Sequence, residues 1–147
     1  MQLQGTHTVA ASVEQTFEKL NDPAILQRCI LGCEKMEKTG EDQYAARLQV
    51  GLAAMKGNFA GKVRVTEKHP PHDYTLQIEG SGPLGFLKGT AKIALRESNG
   101  KTAVSYTAEA HVGGVIAAVG SRVVEVAAKG FAAEFFARFG KAVGGAA

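Results

Sequence analysis

The sequence predicts an α+β fold in which one curved antiparallel sheet of seven strands wraps a single long C-terminal helix. Three observations predict it. Apolar and polar side chains alternate with a period of two from Cys33 to Val112, broken only by turn signals. From about Val115 to Phe139 the apolar residues instead recur at steps of four. Two short segments with helix-start signals lie between the first alternating stretch and the remaining ones.

In chain order, Leu3, Gly5, His7 and Val9 share one parity against Gln2, Gln4, Thr6 and Thr8, the pattern of a half-buried strand. Ser12 is placed to cap a short helix, with Gln15 in the capping-box position, and that helix runs to about Leu20. Asp22-Pro23 starts a second short helix, since proline suits a first turn, and it stops before Gly32. Six strands follow. Their inward-parity runs are led by Tyr44 to Leu52, Phe59 to Val65, Tyr74 to Gly80, Leu87 to Leu95 and Val104 to Val112, after a first strand entered at Cys33. Gly40 to Asp42, His69-Pro70-Pro71-His72 and Ser98-Asn99-Gly100 supply turns. The final helix, about 25 residues or roughly 37 Å long, is the one element large enough to cover the apolar face of such a sheet. This is the helix-grip arrangement. A curled sheet and a straight helix do not touch along their full length, so a pocket between them is expected.

Length and composition fit this picture. A chain of 147 residues forms one domain, expected over 1–140, with 141–147 as a flexible tail. The charge of +3 is scattered, and no basic stripe interleaved with aromatics marks a nucleic-acid binder. No run of about 18 apolar residues predicts a membrane span. The N-terminal MQLQGTHTV lacks the plan of a signal peptide, so the expected address is the cytoplasm, where Cys29 and Cys33 stay reduced.

Small residues recur where the inner face ought to be bulky: Ala46, Gly61, Gly80, Gly89, Ala91, Ala108 and Ala110 on the sheet, and Ala117, Ala118, Gly120, Ala127 and Ala128 on the helix. Interior packing density requires small to meet large. Strand glycines also mark sharp bends and close backbone approach, and each single glycine is equally well read that way. As a group on both walls they favour a cavity for a large apolar molecule.

Catalytic chemistry is thin. Cys29 and Cys33 form C-x3-C without a second pair, so no metal site is expected and packing roles suffice. His7 has inward parity, either as a core group or as a polar contact in the pocket. Tyr44, Tyr74 and Tyr106 point inward too and either bond a ligand or satisfy themselves at the sheet edge. His69, His72 and His111 are placed outside. GSGPLGFLKG, Gly80 to Gly89, lacks GK[ST] and enters a strand, so it is a glycine-rich hairpin at the pocket rim rather than a phosphate loop.

The runs LNDPAILQRCILGCEKMEKTGEDQYAARLQVGL, GSGPLGFLKGTAKIAL and GGVIAAVGSRVVEVAAKGFAAEFFARF together resemble the CoxG family of carbon monoxide dehydrogenase subunits, of the START-like, SRPBCC superfamily, over about residues 1 to 140. Two positions depart from that pattern. Leu31-Gly32-Cys33-Glu34 stands where the family typically reads PGCE, and His7 where it tends to have an apolar aromatic. Many members also carry a long extension and an apolar C-terminal anchor; this chain as given stops at Ala147 with neither, and stable membrane attachment is not expected.

The resemblance implies a non-enzymatic accessory protein of a molybdenum-containing hydroxylase of the carbon monoxide dehydrogenase type, carrying a quinone, isoprenoid or fatty acyl lipid, with at most peripheral contact with the inner face of the cell membrane. No cofactor is expected. The ligand-binding residues expected are His7 and the inward-facing Leu48, Val50, Phe59, Val63, Leu76, Ile78, Phe86, Ile93 and Tyr106 of the sheet, with Val115, Ile116, Val119, Gly120, Val123, Ala127 and Phe131 of the helix. A scaffold or maturation factor for the same enzyme is the alternative, and a cyclase or hydratase the less favoured one, with His7 and the tyrosines as its acid/base candidates.

Overall fold

A computed structural model describes residues 1–52 and 55–144. Seven strands make one sheet: β1 (Gln2–Val9), β2 (Cys33–Gly40), β3 (Gln43–Leu52), β4 (Met55–His69), β5 (Asp73–Gly82), β6 (Gly85–Ser98) and β7 (Lys101–Gly113). Their order is β1-β7-β6-β5-β4-β3-β2, each neighbour antiparallel. The chain therefore lays one edge strand, crosses to the opposite edge, and meanders back. Two helices make the crossing, α1 (Val13–Leu20) and α2 (Pro23–Cys29). Both start where the sequence places them. The Ser12 hydroxyl accepts the Gln15 N–H at 3.1 Å, and the Asp22 carboxylate accepts the Ala24 N–H at 3.0 Å, which satisfies donors that a first turn leaves unpaired.

The C-terminal segment differs from the expected single helix. Val115–Val119 forms a 3-10 turn, Gly120 follows with φ of 101°, and α3 then runs from Ser121 to Gly144. A side-chain-bearing residue is strained at that φ, so glycine is required here by the backbone and not by a need for slimness. The carbonyl of Gly120 accepts the Val124 N–H and opens α3. At the other end the helix passes Phe139 and includes residues 141–144, where the sequence suggests a loose tail. Val143 and Ala142 pack on the core, and Gly144 sits close against Ala10, so the last turn is held by tertiary contact. Residues 145–147 lie outside the described part.

The core gathers at one end of the molecule. Phe17, Leu20, Ile25 and Cys29 of α1 and α2 meet Tyr44, Val65, Tyr74, Leu95 and Val104 of the sheet and Phe136 and Phe139 of α3. Phe139 and Val104 are fully buried. The backbone of α3 comes closest to α2 and β1, then to the 3-10 turn and α1, and keeps a wider distance from the central strands β3 to β6, which it meets through Phe136 and Phe139 in the core. α3 is thus clamped at its C-terminal end and stands off the sheet at its N-terminal end.

Candidate functional site: the trough under the C-terminal helix

Where α3 stands off, the inner face of the sheet is only half covered. Leu48, Val50, Val63, Leu76, Ile78 and Tyr106 face inward yet keep part of their surface in solvent, as do the small Gly80, Gly89, Ala108 and Ala110 beside them. Side chains that face a covering element and remain only partly buried border a space that protein atoms do not fill completely. Phe59 and Leu52 are buried, at 8% exposure each, but fall outside the continuous core. They lie on the inner face at the far end of β3 and β4. There the β5–β6 turn folds over the sheet: Leu84 lies against Gly57, and its carbonyl accepts the Ile116 N–H at 2.6 Å. A trough therefore runs from the core end to this turn.

The floor at the core end is aromatic. His7 stacks on Phe136 with centroids 4.3 Å apart, and Tyr106 lies 5.9 Å from Phe136 and 6.1 Å from His7, all three rings near parallel. Tyr106 reaches across Gly5, where a Cβ would come within 2.9 Å of its ring. Burial lowers the His7 pKa, because the charged imidazolium loses hydration among these rings. A neutral imidazole has one donor and one acceptor for a guest. The other inward tyrosines serve structure. Tyr44 donates to the Asn21 carbonyl at 2.9 Å, and buried Tyr74 stands edge-on to Phe17, its phenol pushed far up by desolvation. Cys29 is buried, and the Cys33 thiol donates to the Lys35 carbonyl at 3.4 Å. Among the described residues no three His, Cys, Asp or Glu side chains converge on a point that would hold a metal.

Residues expected in the pocket fall into three groups. His7, Leu48, Val50, Phe59, Val63, Leu76, Ile78, Ile93 and Tyr106 have the inward orientation, with Phe59 and Ile93 buried at the two ends. Ile116, Val119 and Ala127 are half buried above them. Phe86, Val115, Val123 and Phe131 depart from expectation, being 53%, 54%, 42% and 40% exposed. Phe86 pairs with Ser81 and Gly113 and so lies on the outer face, because its parity is opposite to that of Leu87. Val123 fails for a geometric reason. Each four-residue step drifts about 40° on a helix of 3.6 residues per turn, so Val123, four such steps before buried Phe139, is turned about 160° away from it. The sheet-facing side passes instead through Val124, Ala128, Ala132, Phe136 and Phe139, of which Phe136 and Phe139 are buried. Gly120 has open space around it and marks the turn into α3 rather than a contact surface.

The site also includes residues that sequence patterns alone pass over. Phe136 is hidden by its neighbour Phe135, which fits the four-step pattern; its real signal is the three-residue step to Phe139. Leu84 sits between Gly82 and Gly85, and an apolar residue at a hairpin tip is itself the clue that the tip turns inward.

The fold and the sequence meet known proteins at this point. The chain matches the CoxG family of carbon monoxide dehydrogenase subunits over residues 5–144. It belongs to that family. A conserved protein of Geobacillus kaustophilus is 38% identical, with 97% of this chain and 95% of that chain covered and a TM-score of 0.92. Beyond the family the likeness is one of fold. A Mycobacterium smegmatis protein is 14% identical over 95% of this chain and 88% of its own, with a TM-score of 0.69. The ZhuI aromatase/cyclase of Streptomyces is 13% identical over 97% and 93%, with a TM-score of 0.67. No curated protein matches the chain. Membership of the CoxG family makes this a binding protein associated with carbon monoxide dehydrogenase, on the helix-grip fold. Among the described residues no helix is long and apolar enough to cross a membrane.

Proposed function

We propose that the trough between the sheet and α3 carries a hydrophobic small molecule, of the quinone, isoprenoid or fatty acyl kind, and that the protein delivers it without chemistry to a molybdenum-containing hydroxylase of the carbon monoxide dehydrogenase type. The observation that carries this reading is the one-ended attachment of α3, which leaves the inward-facing Leu48, Val50, Val63, Leu76 and Ile78 only partly buried. Covering such a face with an apolar guest is favourable by about 25 cal/mol per Å² removed from water. His7 and Tyr106 would meet a polar head at the closed end. Val119 and Ala127 would border the guest from the helix side, and the protein would work in the cytoplasm, touching the inner membrane surface only transiently.

Extraction of the purified protein with organic solvent, followed by mass spectrometry, tests the reading. An apolar molecule recovered in near-stoichiometric amount supports it. A protein that neither copurifies with an apolar molecule nor takes up a hydrophobic fluorescent probe would overturn it and leave the surface-scaffold alternative. A catalytic reading draws only on the His7–Tyr106 pair, and the aromatase/cyclase likeness extends to fold alone.

A further inference from the structure

We propose that the outer face of the sheet carries a docking site for an acidic segment of a partner protein, on the side opposite the trough. The strand register aligns two outward rows there. One runs Lys35, Arg47, Ala60, Ser81, Phe86 from β2 to β6, and the next runs Glu37, Ala45, Lys62, Glu79, Lys88. Between them, pointing inward, lies the row Ala46, Gly61, Gly80. Small residues on both faces of three adjacent strands let the sheet bend and leave no bulky side chain to fill the bend from outside. The result is a recess of about 520 Å³ on the outer surface.

Its charge is unbalanced. Lys35 is paired with Glu37 at 3.6 Å, which leaves Arg47, Lys62 and Lys88 against the single carboxylate of Glu79. Among the described residues, none of those three cations has a carboxylate oxygen within 4.0 Å. All three side chains are exposed, so they stand around a shallow floor of alanine and serine that a carboxylate can reach. A guanidinium takes a carboxylate in a two-pronged bond that a lone ammonium does not. Phe86, half exposed at the end of the first row, adds an aromatic anchor, and Arg with an aromatic is the composition that interface centres favour.

A polypeptide segment fits this site better than other anions. A bilayer presents a plane, which cannot enter a recess, and nucleic acid would set its phosphates against Glu37 and Glu79. An acidic chain can place carboxylates on Arg47, Lys62 and Lys88 while its backbone avoids Glu79. None of these residues lines the trough, so the proposal stands whether or not the trough holds a guest.

The test is a titration of the isotopically labelled full chain with a synthetic Asp/Glu-rich peptide containing one leucine, read by NMR shifts of backbone amides. Shifts confined to residues 45–47, 60–62, 79–81 and 86–88, with affinity reduced at least about tenfold by R47E/K62E, support the site. K101E, a like change at an exposed residue outside the recess, is expected to alter the affinity less than about twofold. Equal weakening by K101E and by R47E/K62E would reduce the effect to net charge and overturn the proposal. So would shifts spread evenly over the surface, or no shifts at all. Inorganic phosphate or phosphatidylglycerol vesicles producing the same localised shifts would overturn it too, by reassigning the recess to anions in general. Circular dichroism of each variant confirms that these exposed substitutions leave the fold intact.

Discussion

If α3 is clamped at one end only, two phenylalanines five residues apart on it must differ sharply in what they hold together. Phe136 is 8% exposed and touches His7, Tyr106 and Phe135, whereas Phe131 is 40% exposed. A buried phenylalanine covers about 150–250 Å². At about 25 cal/mol per Å², and with the cavity left behind, Phe136→Ala is expected to cost about 4 kcal/mol. Phe131→Ala removes less buried area, and water refills the space, so about 1 kcal/mol is expected. Urea denaturation followed by circular dichroism reads the contrast. With an m-value of about 1.5–2 kcal/mol per M, the two midpoints should lie about 1.5–2 M apart. Equal losses, or a larger loss for Phe131→Ala, would show that the N-terminal half of α3 is packed as firmly as the rest and would remove the basis for an open trough.

Three further outcomes follow from named positions. A Cβ on Gly80 would meet the Ala60 carbonyl and the Phe59 ring only at 3.7 and 3.8 Å, so Gly80→Leu should fold and fill the trough, weakening a hydrophobic fluorescent probe at least about tenfold. Gly120→Ala meets no neighbour but must adopt φ of 101° with ψ of 145°, a region nearly restricted to glycine, so it should lose about 1–3 kcal/mol in denaturation without a change in core packing. Burial holds the His7 pKa below 6.5 in the folded chain, so the unfolded chain takes up the proton first as pH falls. Stability should therefore decline as pH drops below about 6.5 and level off below the folded pKa, by a share that His7→Phe abolishes in parallel melts.

Much of the architecture is legible in the sequence because local chemistry and global packing agree. Period-two patterns locate the strands, and Ser12 and Asp22 announce helix starts through bonds that involve only the next few residues. The errors arise where distant groups decide. Gly120 looks like any weak helix residue until its positive φ is known, and a glycine alone does not declare which backbone region it occupies. The run GKAVGGAA after Phe139 shows no packing signal and suggests a loose tail, yet Val9 of β1 lies beside Gly140 and Ala10 just after it beside Gly144. On the sheet, strand parity puts Leu48, Val50, Val63, Leu76 and Ile78 on the inner face, whereas Phe86 has the parity of the outer face. The helix wall goes astray at Val123 and Phe131 because an exact four-residue repeat follows the chain and not the sheet.

The clamp on α3 also has a mechanical side. About 27 Å of helix separates Phe139, the last buried side chain of the clamp, from Ser121 at the other end. A beam fixed at one end turns small rotations into large displacements. Tilting the anchored end by about 5° would move Ser121 by roughly 2.4 Å over that length, more than the radius of a methyl group. What checks this swing is the 3-10 turn before Gly120, which rests on β6 and β7 and whose Ile116 N–H donates to the Leu84 carbonyl. The width of the trough is thus set at the tip of a lever, by one short turn, while the pivot at the other end is built from phenylalanine.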